Sequence, residues 1–328
     1  MTKFLVVGGA GYIGSHLVKQ LIQQGAKVIV LDDFSTGHRE AVPQSVPLYQ
    51  CSLYNPESIR HVFTQAPFDA VFHFAAKNLV GDSINDPLGY FQSNVTCSLN
   101  LIQACVAAHV PKFVFSSTAA VYGEPQTKLI SETHPLQPLN PYGESKLMIE
   151  RMLRWAETLS GMRWAALRYF NAAGCDPLGE LGEAHFPETH LIPSVIDAAL
   201  GRRPPLQIFG TDYPTPDGTA IRDYVHVTDL ASAHLAVLPL LDQQSACFNL
   251  GNSEGFSVSQ IIQAVESVTG MRVPREVGSR RAGDPARLVA NSQAIRQAVG
   301  WVPEFSALDT LIDTSYKWRL THPKGYNT

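Results

Sequence analysis

Tyr142 and Lys146 lie four positions apart at the start of a helical pattern, in the stretch PLNPYGESKLMIERML that covers residues 138–153. This spacing places both side chains on one face of a helix. A tyrosine hydroxyl has a pKa of about 10 and is a poor base at neutral pH, but a nearby ammonium and a positively charged ring both favour the phenolate. The pair therefore indicates proton transfer, although Tyr-x-x-x-Lys also occurs by chance in many surface helices.

A glycine-rich turn and two aspartates indicate a dinucleotide cofactor. Gly8, Gly11 and Gly14 fall between the first predicted strand and the next helix, where the backbone can approach a pyrophosphate at the helix N-terminus. Asp32 and Asp33 end the second predicted strand, 24 residues after Gly8. A carboxylate at this place accepts hydrogen bonds from the adenosine ribose and repels a 2′-phosphate, so the pattern favours NAD over NADP.

Short apolar runs alternate with helical patterns in the first half of the chain. Strands are predicted at 3–8, 27–32, 46–51, 69–74, 112–117 and 163–169, and helices at 13–24, 56–65, 88–108 and 142–159. This alternation predicts an α/β fold with a doubly wound parallel (Rossmann) sheet, in which ligands lie beyond the carboxyl ends of the strands. Residues 116–118 should therefore line the same crevice as Tyr142.

The chain after residue 170 is rich in glycine, proline and aspartate, which is typical of binding loops. We expect residues 1–170 to form the NAD-binding domain and residues 171–328 a smaller α/β domain for the substrate. The segment of about 219–250 contains a strand and a helix pattern and is expected to return to the first domain.

Composition excludes several classes of protein. With 29 acidic and 25 basic residues the net charge is −4, which leaves no electrostatic footprint for nucleic acid or an anionic membrane. No apolar run reaches 18 residues, so no membrane span is expected. The five cysteines are scattered and lack zinc-site spacing, which favours a reducing cytoplasm and no metal site.

The chain resembles the extended short-chain dehydrogenase/reductase family and, within it, the branch that epimerises nucleotide sugars at C4. The resemblance extends over nearly all 328 residues, in the order and spacing of GGAGYIGSHL, HFAA, SSTAAVYGEP, NPYGESKLMIE, LRYFNAAG, ETHLIP, IFGTDYPTPDGTAIRDYVHV and RRAGDPARLVA. The glycine turn and the Tyr-x-x-x-Lys pair are common to the whole superfamily. The stretch DYPTPDGTAIRDYVHV is specific to the epimerase branch.

The resemblance implies an NAD-dependent 4-epimerisation of a UDP-hexose, with UDP-glucose and UDP-galactose as the pair. In such enzymes the sugar passes through a 4-ketose and receives the hydride back on its opposite face. Tyr142 would then remove the proton of the 4-hydroxyl, Thr118 would hold the 4-oxygen, and Lys146 would bind the nicotinamide ribose. The resemblance also implies a homodimer, paired through the helices at 88–108 and 142–159.

Further site residues are implied by matching the family's motifs to this chain. The implied cofactor residues are Gly8, Gly11, Tyr12, Ile13, Gly14, Asp32, Asp33, Phe34, Ser35, Thr36, Gly37, Ser52, Leu53, Phe74, Ala75, Ala76, Lys77, Ser93, Ser116, Tyr142, Lys146, Tyr169 and Phe170. The implied substrate residues are Thr118, Tyr142, Asn171, His190, Leu191, Gln207, Phe209, Arg222, Arg281, Asp284 and Leu288. Arg222 and Arg281 would bind the diphosphate, and Asp284 the uridine ribose.

The chain departs from its relatives at four of these places. Ser52 replaces an aspartate that contacts adenine, and Lys77 stands one position before the usual lysine, where the chain has Asn78. His190 replaces an asparagine found in some relatives. Leu288 replaces a bulky tyrosine over the sugar, which leaves room for a larger substituent at C2.

Alternatives within the same scaffold differ in the loop after Thr118. A 4,6-dehydratase needs an acidic pair there to remove a C5 proton, and a UDP-glucuronate decarboxylase commonly has a glutamate, whereas this chain has Ala119 and Ala120. A 4-epimerase of another UDP-sugar, such as UDP-N-acetylglucosamine or UDP-xylose/arabinose, remains open. So does a non-catalytic NAD-binding regulator, because fold does not imply function.

Overall fold

The structure of the protein is a computed structural model that describes residues 2–281 and 284–326. Its strands are β1 (Lys3–Val7), β2 (Lys27–Asp32), β3 (Leu48–Gln50), β4 (Ala70–His73), β5 (Lys112–Thr118), β6 (Arg163–Tyr169), β7 (Asn171–Ala173), β8 (Leu206–Phe209), β9 (Ile221–Arg222), β10 (Tyr224–His226), β11 (Ala246–Leu250), β12 (Phe256–Ser257), β13 (Arg275–Gly278) and β14 (Arg287–Leu288).

The main sheet is parallel and has the strand order β11-β6-β5-β4-β1-β2-β3. The order reverses at β1, as in dinucleotide-binding sheets. The predicted Rossmann fold is therefore confirmed, with each of the six predicted strands present within one or two residues of its expected bounds. Strands such as β1 and β2 are buried on both faces, which explains their continuous apolar runs.

The helices are α1 (Tyr12–Gln23), α2 (Pro56–Phe63), α3 (Val80–Asn85), α4 (Pro87–Tyr90), α5 (Cys97–Ala107), α6 (Pro141–Ser160), α7 (Leu191–Ala199), α8 (Val227–Ala236), α9 (Val258–Thr269), α10 (Gln293–Val299) and α11 (Leu308–Thr321). A π-helical segment, 91–96, joins α4 to α5. The helix predicted at 88–108 is therefore present, but with a local change of hydrogen-bond register.

Two apolar layers cover the faces of the main sheet. On one face α1 and α8 pack through residues such as Leu17, Leu21 and Leu230. On the other face α2, α5 and α6 pack through residues such as Ile59 and Leu153. The sheet is thus covered by helices on both faces, and the carboxyl ends of its strands are left for a ligand.

The C-terminal half adds a third apolar cluster beneath α7, α9 and α11. Here β10 pairs with β7, β13 with β8, and β9 lies between β12 and β14. The strand predicted within 219–250, β10, does not join the main sheet. Instead β11 pairs with β6 at the edge of that sheet, and α8 packs beside α1. Among the described residues, no helix has both the length and the hydropathy needed to cross a bilayer.

Candidate active site

The carboxyl ends of the main strands carry the key residues predicted to bind a cofactor. Gly8 follows β1, Asp32 ends β2, Phe74 follows β4, Ser116 lies near the end of β5, and Tyr169 ends β6. Parallel pairing brings these ends to one edge, with β1 between β2 and β4 and β5 beside β6. The structure therefore gathers residues that are up to 161 positions apart in sequence.

The glycine-rich turn is closely packed on one side and open on the other. Gly8 has φ +79°, and a Cβ on it would lie 2.6 Å from the nitrogen of Ala75; a Cβ on Gly14 would lie 2.2 Å from the oxygen of Gly8. A Cβ on Gly11 would meet only that same oxygen, at 3.3 Å, among the described atoms. No described side chain caps the N-terminus of α1 there. Free N–H groups and the helix dipole make this place suitable for a phosphate group.

Asp32 is buried at the end of β2, where its carboxylate organises the following loop. Its Oδ2 accepts from the backbone N–H of Ala10 and its Oδ1 from that of Phe34, both at 2.9 Å. Burial raises the pKa of Asp32, and these two N–H groups oppose that rise. Phe34 has φ 59°, and a Cβ on Gly37 would lie 2.9 Å from Oδ1, so the loop passes close to the carboxylate.

The other predicted cofactor residues surround these two features. Asp33, Ser35 and Thr36 are exposed on the loop after β2, Ser52 and Leu53 follow β3, Ala75 and Ala76 follow β4, Ile13 packs in α1, and Ser93 lies in the π-helical segment. The Tyr12 hydroxyl donates to the carbonyl oxygen of Gly174. Lys77 behaves differently, because its half-exposed side chain has Nζ 3.6 Å from Asp86 and 5.5 Å from the centre of the Tyr90 ring.

The start of α6 is fixed by its sequence. The Asn140 side chain accepts from the N–H of Gly143 at 2.8 Å, and Pro141 occupies the first turn, where its missing N–H has no cost. A Cβ on Gly143 would lie 2.4 Å from the carbonyl oxygen of Ala120. Only glycine therefore allows α6 to approach the segment after Thr118 this closely.

This approach brings Thr118, Tyr142 and Lys146 together. Lys146 is 3% exposed, and its Nζ donates to the carbonyl oxygen of Ser116 at 2.8 Å and lies 5.9 Å from the centre of the Tyr142 ring. Tyr142 is partly open to the crevice, and Thr118 is buried beside it. Next to them, the Tyr169 hydroxyl contacts Ser116 Oγ.

Burial dominates the electrostatics of Tyr142 and Lys146. Burial raises the pKa of Tyr142 to about 12, and the Thr118 hydroxyl is the neighbour that opposes this rise. Burial also lowers the pKa of Lys146 to about 7. The Lys146 Nζ donates to the Ser116 carbonyl and lies 5.9 Å from the centre of the Tyr142 ring, so the effect of its charge on the phenol stays a prediction.

A buried ion pair supports the catalytic helix from behind. Glu150, one turn after Lys146, contacts Arg168 of β6 through two hydrogen bonds, of which Arg168 Nε to Glu150 Oε1 is 2.9 Å and the other joins Nη2 to Oε2 at 2.5 Å. The same Oε1 accepts from the Ser117 hydroxyl at 2.6 Å. Arg168 Nη1 also donates to the Tyr122 hydroxyl at 2.9 Å. Both charged side chains are almost fully buried, at 2% and 1% exposed.

Asn94 was not predicted from the sequence. It is fully buried, its Oδ1 accepts from the N–H of Lys77 at 2.8 Å, and its Nδ2 donates to the Lys77 carbonyl and the Ser145 hydroxyl, both at 3.0 Å. It thereby joins the loop after β4 to α6. Its position next to the predicted Ser93 was the available signal, but the same helix carries several other polar residues.

The predicted substrate residues lie in two groups. Arg222 is paired with Asp284, although separate roles on the diphosphate and the ribose were expected for them. The Arg281 guanidinium stacks on the ring of Phe209, 3.9 Å from its centre. Gln207 is exposed on β8, the strand that ends at Phe209. Ala282 and Gly283, within the motif RRAGDP, lie outside the described residues.

The second group comprises Asn171 and Leu288, with the predicted cofactor residue Phe170 next to them. The amide of Asn171 donates to the carbonyl oxygen of Asp223 at 2.7 Å. Phe170 and Leu288 are partly buried and pack against the cluster that contains Ala119 and Leu147. The structure thus places Leu288 beside residues adjacent to Thr118 and Tyr169.

His190 is the N-cap of α7 and directly precedes its first residue, Leu191. The environment of its side chain was not predicted. Its Nδ1 contacts Glu183 Oε1, and its backbone N–H donates to Glu188 Oε1 at 3.0 Å. Burial lowers the pKa of His190, but the Glu183 and Glu188 carboxylates outweigh it, so the net shift is upward. With His185 these residues form the one compact group of possible metal ligands found among the described residues. The sequence predicted no metal site, because it has no Cys-x-x-Cys or Cys/His pairing with zinc spacing and its histidines are dispersed.

Comparison with known proteins identifies close relatives. The model of the NAD dependent epimerase/dehydratase family matches residues 4–251. The chain is 48% identical to the UDP-glucose 4-epimerase of Lacticaseibacillus casei, over 98% of each chain. A crystal structure of UDP-glucose 4-epimerase matches with a TM-score of 0.97 at 48% identity over 100% of both chains. That of the Bifidobacterium longum enzyme, in complex with NAD+ and UDP, matches with a TM-score of 0.94 at 34% identity, over 99% of this chain and 100% of the other.

Replacing Glu150 by Gln should destabilise the protein strongly, because Arg168 would keep its charge in a buried place without a compensating carboxylate. Loss of one partner of a buried pair typically lowers the free energy of unfolding by about 3–5 kcal/mol. Urea unfolding at neutral pH measures this change.

Glu157→Gln is the matched control on the same helix, since Glu157 pairs with an Arg163 side chain that is 43% exposed. A loss below about 1 kcal/mol is expected there. Equal losses in the two variants would contradict the role given to the buried pair.

Proposed function

Because the chain belongs to the NAD-dependent epimerase/dehydratase family and, within it, to the UDP-glucose 4-epimerases, we propose that Tyr142, Thr118 and Lys146 carry out its reaction. The chain is an NAD-dependent enzyme that interconverts UDP-glucose and UDP-galactose by transient oxidation at C4. The observation that carries the proposal is the placement of the Tyr142 phenol beside Thr118, with Lys146 buried behind it. These three groups converge at the strand ends where a cofactor binds in such sheets.

The residues at the strand ends fit the cofactor. The open side of Gly11 and the uncapped N-terminus of α1 suit a pyrophosphate. Asp32 keeps unused acceptor capacity on both carboxylate oxygens for the two hydroxyls of the adenosine ribose, and its charge disfavours a 2′-phosphate. When bound, NAD supplies a positively charged ring that accepts a hydride from sugar C4 and returns it.

Tyr142 is proposed to accept the proton of the 4-hydroxyl and to give it back after the sugar has turned. Its pKa of about 12 in this structure means that it takes up this role only when a positive charge lies nearby. The buried Thr118 hydroxyl is placed to orient the 4-oxygen. Lys146, whose pKa is lowered to about 7, is proposed to hold the ribose next to the ring and to add charge when protonated.

The diphosphate is proposed to bind between Arg222 and Arg281. In this structure the two guanidinium groups contact Asp284 and the ring of Phe209. Guanidinium groups bind phosphate through paired hydrogen bonds. We also propose that Asn171, His190, Leu191 and Gln207 line the remaining length of the substrate site, and that Asp284 turns to the uridine ribose.

Residues 1–170, α8 and β11 are proposed to form the cofactor domain, and the other elements after residue 170 the substrate domain. All five cysteines, which lie within the described residues, are free thiols. We infer from them that the enzyme works in a reducing compartment, for which the cytoplasm is the expected one.

Tyr142→Phe should lower turnover by about a thousandfold, because general acid–base catalysis by one group contributes on that scale, and should leave UDP binding unchanged. Coupled assay of UDP-galactose formation and titration with UDP measure the two quantities. Tyr90→Phe is the control, since the Tyr90 hydroxyl is bonded to the backbone of Leu79. More than a tenth of wild-type turnover in Tyr142→Phe would refute the assigned role.

A second substrate, UDP-N-acetylglucosamine, is favoured by Leu288. This side chain packs beside Phe170 and the Ala119 cluster, and it is smaller than tyrosine. Leu288→Tyr should reduce activity on UDP-N-acetylglucosamine more than on UDP-glucose, by roughly the 1–3 kcal/mol that one apolar pocket wall provides. Product analysis for both sugars tests this, with exposed Leu320→Tyr as the control. Equal losses on both sugars would place Leu288 away from the C2 substituent.

A homodimer is proposed from one face of α6. Met148, Met152, Trp155 and Leu159 lie at helical spacing on this face, and Trp155 and Leu159 are 75% and 78% exposed. A stripe of this kind pairs with its own copy across a two-fold axis. Light scattering should give twice the chain mass, and Trp155→Glu should give a monomer. A wild-type protein that is monomeric at micromolar concentration would contradict the proposal.

A further inference from the structure

We propose that the loop from Glu183 to His190 is a binding site for a divalent transition-metal ion, with Glu183, His185, Glu188 and His190 as its ligands. This proposal rests on side chains of this loop and not on Thr118, Tyr142 or Lys146; His190 is the one ligand that is also proposed to line the substrate site. The ion expected from the ligand types is zinc.

The four side chains converge in space. One ligand atom from each lies within 4.8 Å of the ligand atoms of the other three. Both imidazoles have Nδ1 close to one carboxylate oxygen, Glu183 Oε1. Nδ1 of His185 lies 3.3 Å from it, and Nδ1 of His190 contacts it. Zinc with bonds of about 2.0–2.2 Å holds tetrahedral ligands roughly 3.4 Å apart. Small side-chain rotations would therefore complete the coordination.

Glu188 provides an independent indication of a missing partner. Its side chain is only 9% exposed, and Oε2 is buried without a hydrogen-bond donor among the described residues. Its ion-pair partner Arg319 has Nη1 3.7 Å from Oε2, beyond hydrogen-bond distance, and that guanidinium also binds Asp197, with Nε 2.7 Å from Oδ1. A buried carboxylate oxygen without a donor is unfavourable, and a cation between Glu188 and Glu183 would remove this penalty.

The chemistry of the ligands favours zinc over magnesium or calcium. Imidazole nitrogen binds transition metals well, whereas magnesium and calcium prefer an all-oxygen shell. Two carboxylates and two neutral imidazoles would balance the charge of a divalent ion, and His190, whose pKa the neighbouring carboxylates raise, would release its proton on binding. The side chains of His185 and His190 are 26% and 39% exposed, which gives the ion a path to the buried Glu183.

The position of the loop indicates what the ion would do. His190 is the N-cap of α7. The His185 ring lies edge-on to the ring of Tyr12, and the two ring centres are 6.1 Å apart. Tyr12 belongs to the first turn of α1 and is itself bonded to Gly174. A metal ion would thus fix the loop between the glycine-rich turn and α7, which is a structural role away from Tyr142.

The test uses the full-length protein, stripped of metal with a chelator and then titrated with cobalt(II) chloride and zinc(II) chloride. One cobalt ion per chain should bind with a visible absorption band and a dissociation constant of about 10 μM or lower, and zinc should displace it. His185→Ala and Glu183→Gln should each weaken binding at least about tenfold, since even outer-shell changes have effects of that size. Zinc should also raise the melting temperature of the wild type and not that of His185→Ala.

His61→Ala is the matched control, because His61 is exposed on α2 with Glu57 one turn before it. This variant should bind cobalt as the wild type does. A dissociation constant above about 100 μM in the wild type, an unchanged affinity in His185→Ala, or an equal loss in His61→Ala would overturn the proposal. Should Glu183→Gln not fold, His185→Ala decides alone, since its partly exposed side chain can be removed without opening the core.

Discussion

The buried ion pair between Glu150 and Arg168 is the interaction on which the site depends most. Glu150 lies one turn after Lys146 on α6, and Arg168 directly precedes Tyr169 on β6, so the pair fixes the helix against the strand ends. Ser117, next to Thr118, bonds to the same carboxylate. One carboxylate therefore sets the distance between the elements that carry Thr118, Tyr142, Lys146 and Tyr169. A buried charge pair is seldom favourable for stability alone, and here it is retained where three elements must keep a single geometry.

A second buried carboxylate has a comparable function in the C-terminal half. Asp223 is fully buried and accepts from the backbone N–H groups of Asn252, Ser253 and Ala290, at 2.8, 3.1 and 3.0 Å. Burial raises its pKa to about 6, against these three donors. It stands next to Arg222, and its own carbonyl oxygen accepts from Asn171. The residues proposed for the diphosphate and the sugar are thus connected to one another through a single residue, whose side chain fixes the surrounding backbone.

The sequence predicted those features that depend on local pattern. Alternating runs placed the six first strands, and the Gly8–Gly14 turn, Asp32 and the Tyr142–Lys146 spacing indicated the cofactor and the chemistry correctly as to class. What it missed depends on three-dimensional contacts. The strand β10 pairs with β7 outside the main sheet, and Asn94 and the Glu183–His190 group acquire their meaning only when distant or loop residues meet. Long-range pairing and burial decide these points, and neither has a short-range signature.

The central claim is that the chain oxidises and reduces one and the same carbon, C4 of the sugar, without releasing the hydride. The most direct measurement uses UDP-glucose that carries deuterium at C4, in ordinary water, with the UDP-galactose product analysed by NMR and mass spectrometry. We expect the deuterium to remain at C4 of the product while the configuration at C4 is inverted. Replacement of that deuterium by solvent hydrogen would contradict hydride return at C4 and would indicate proton abstraction from carbon instead.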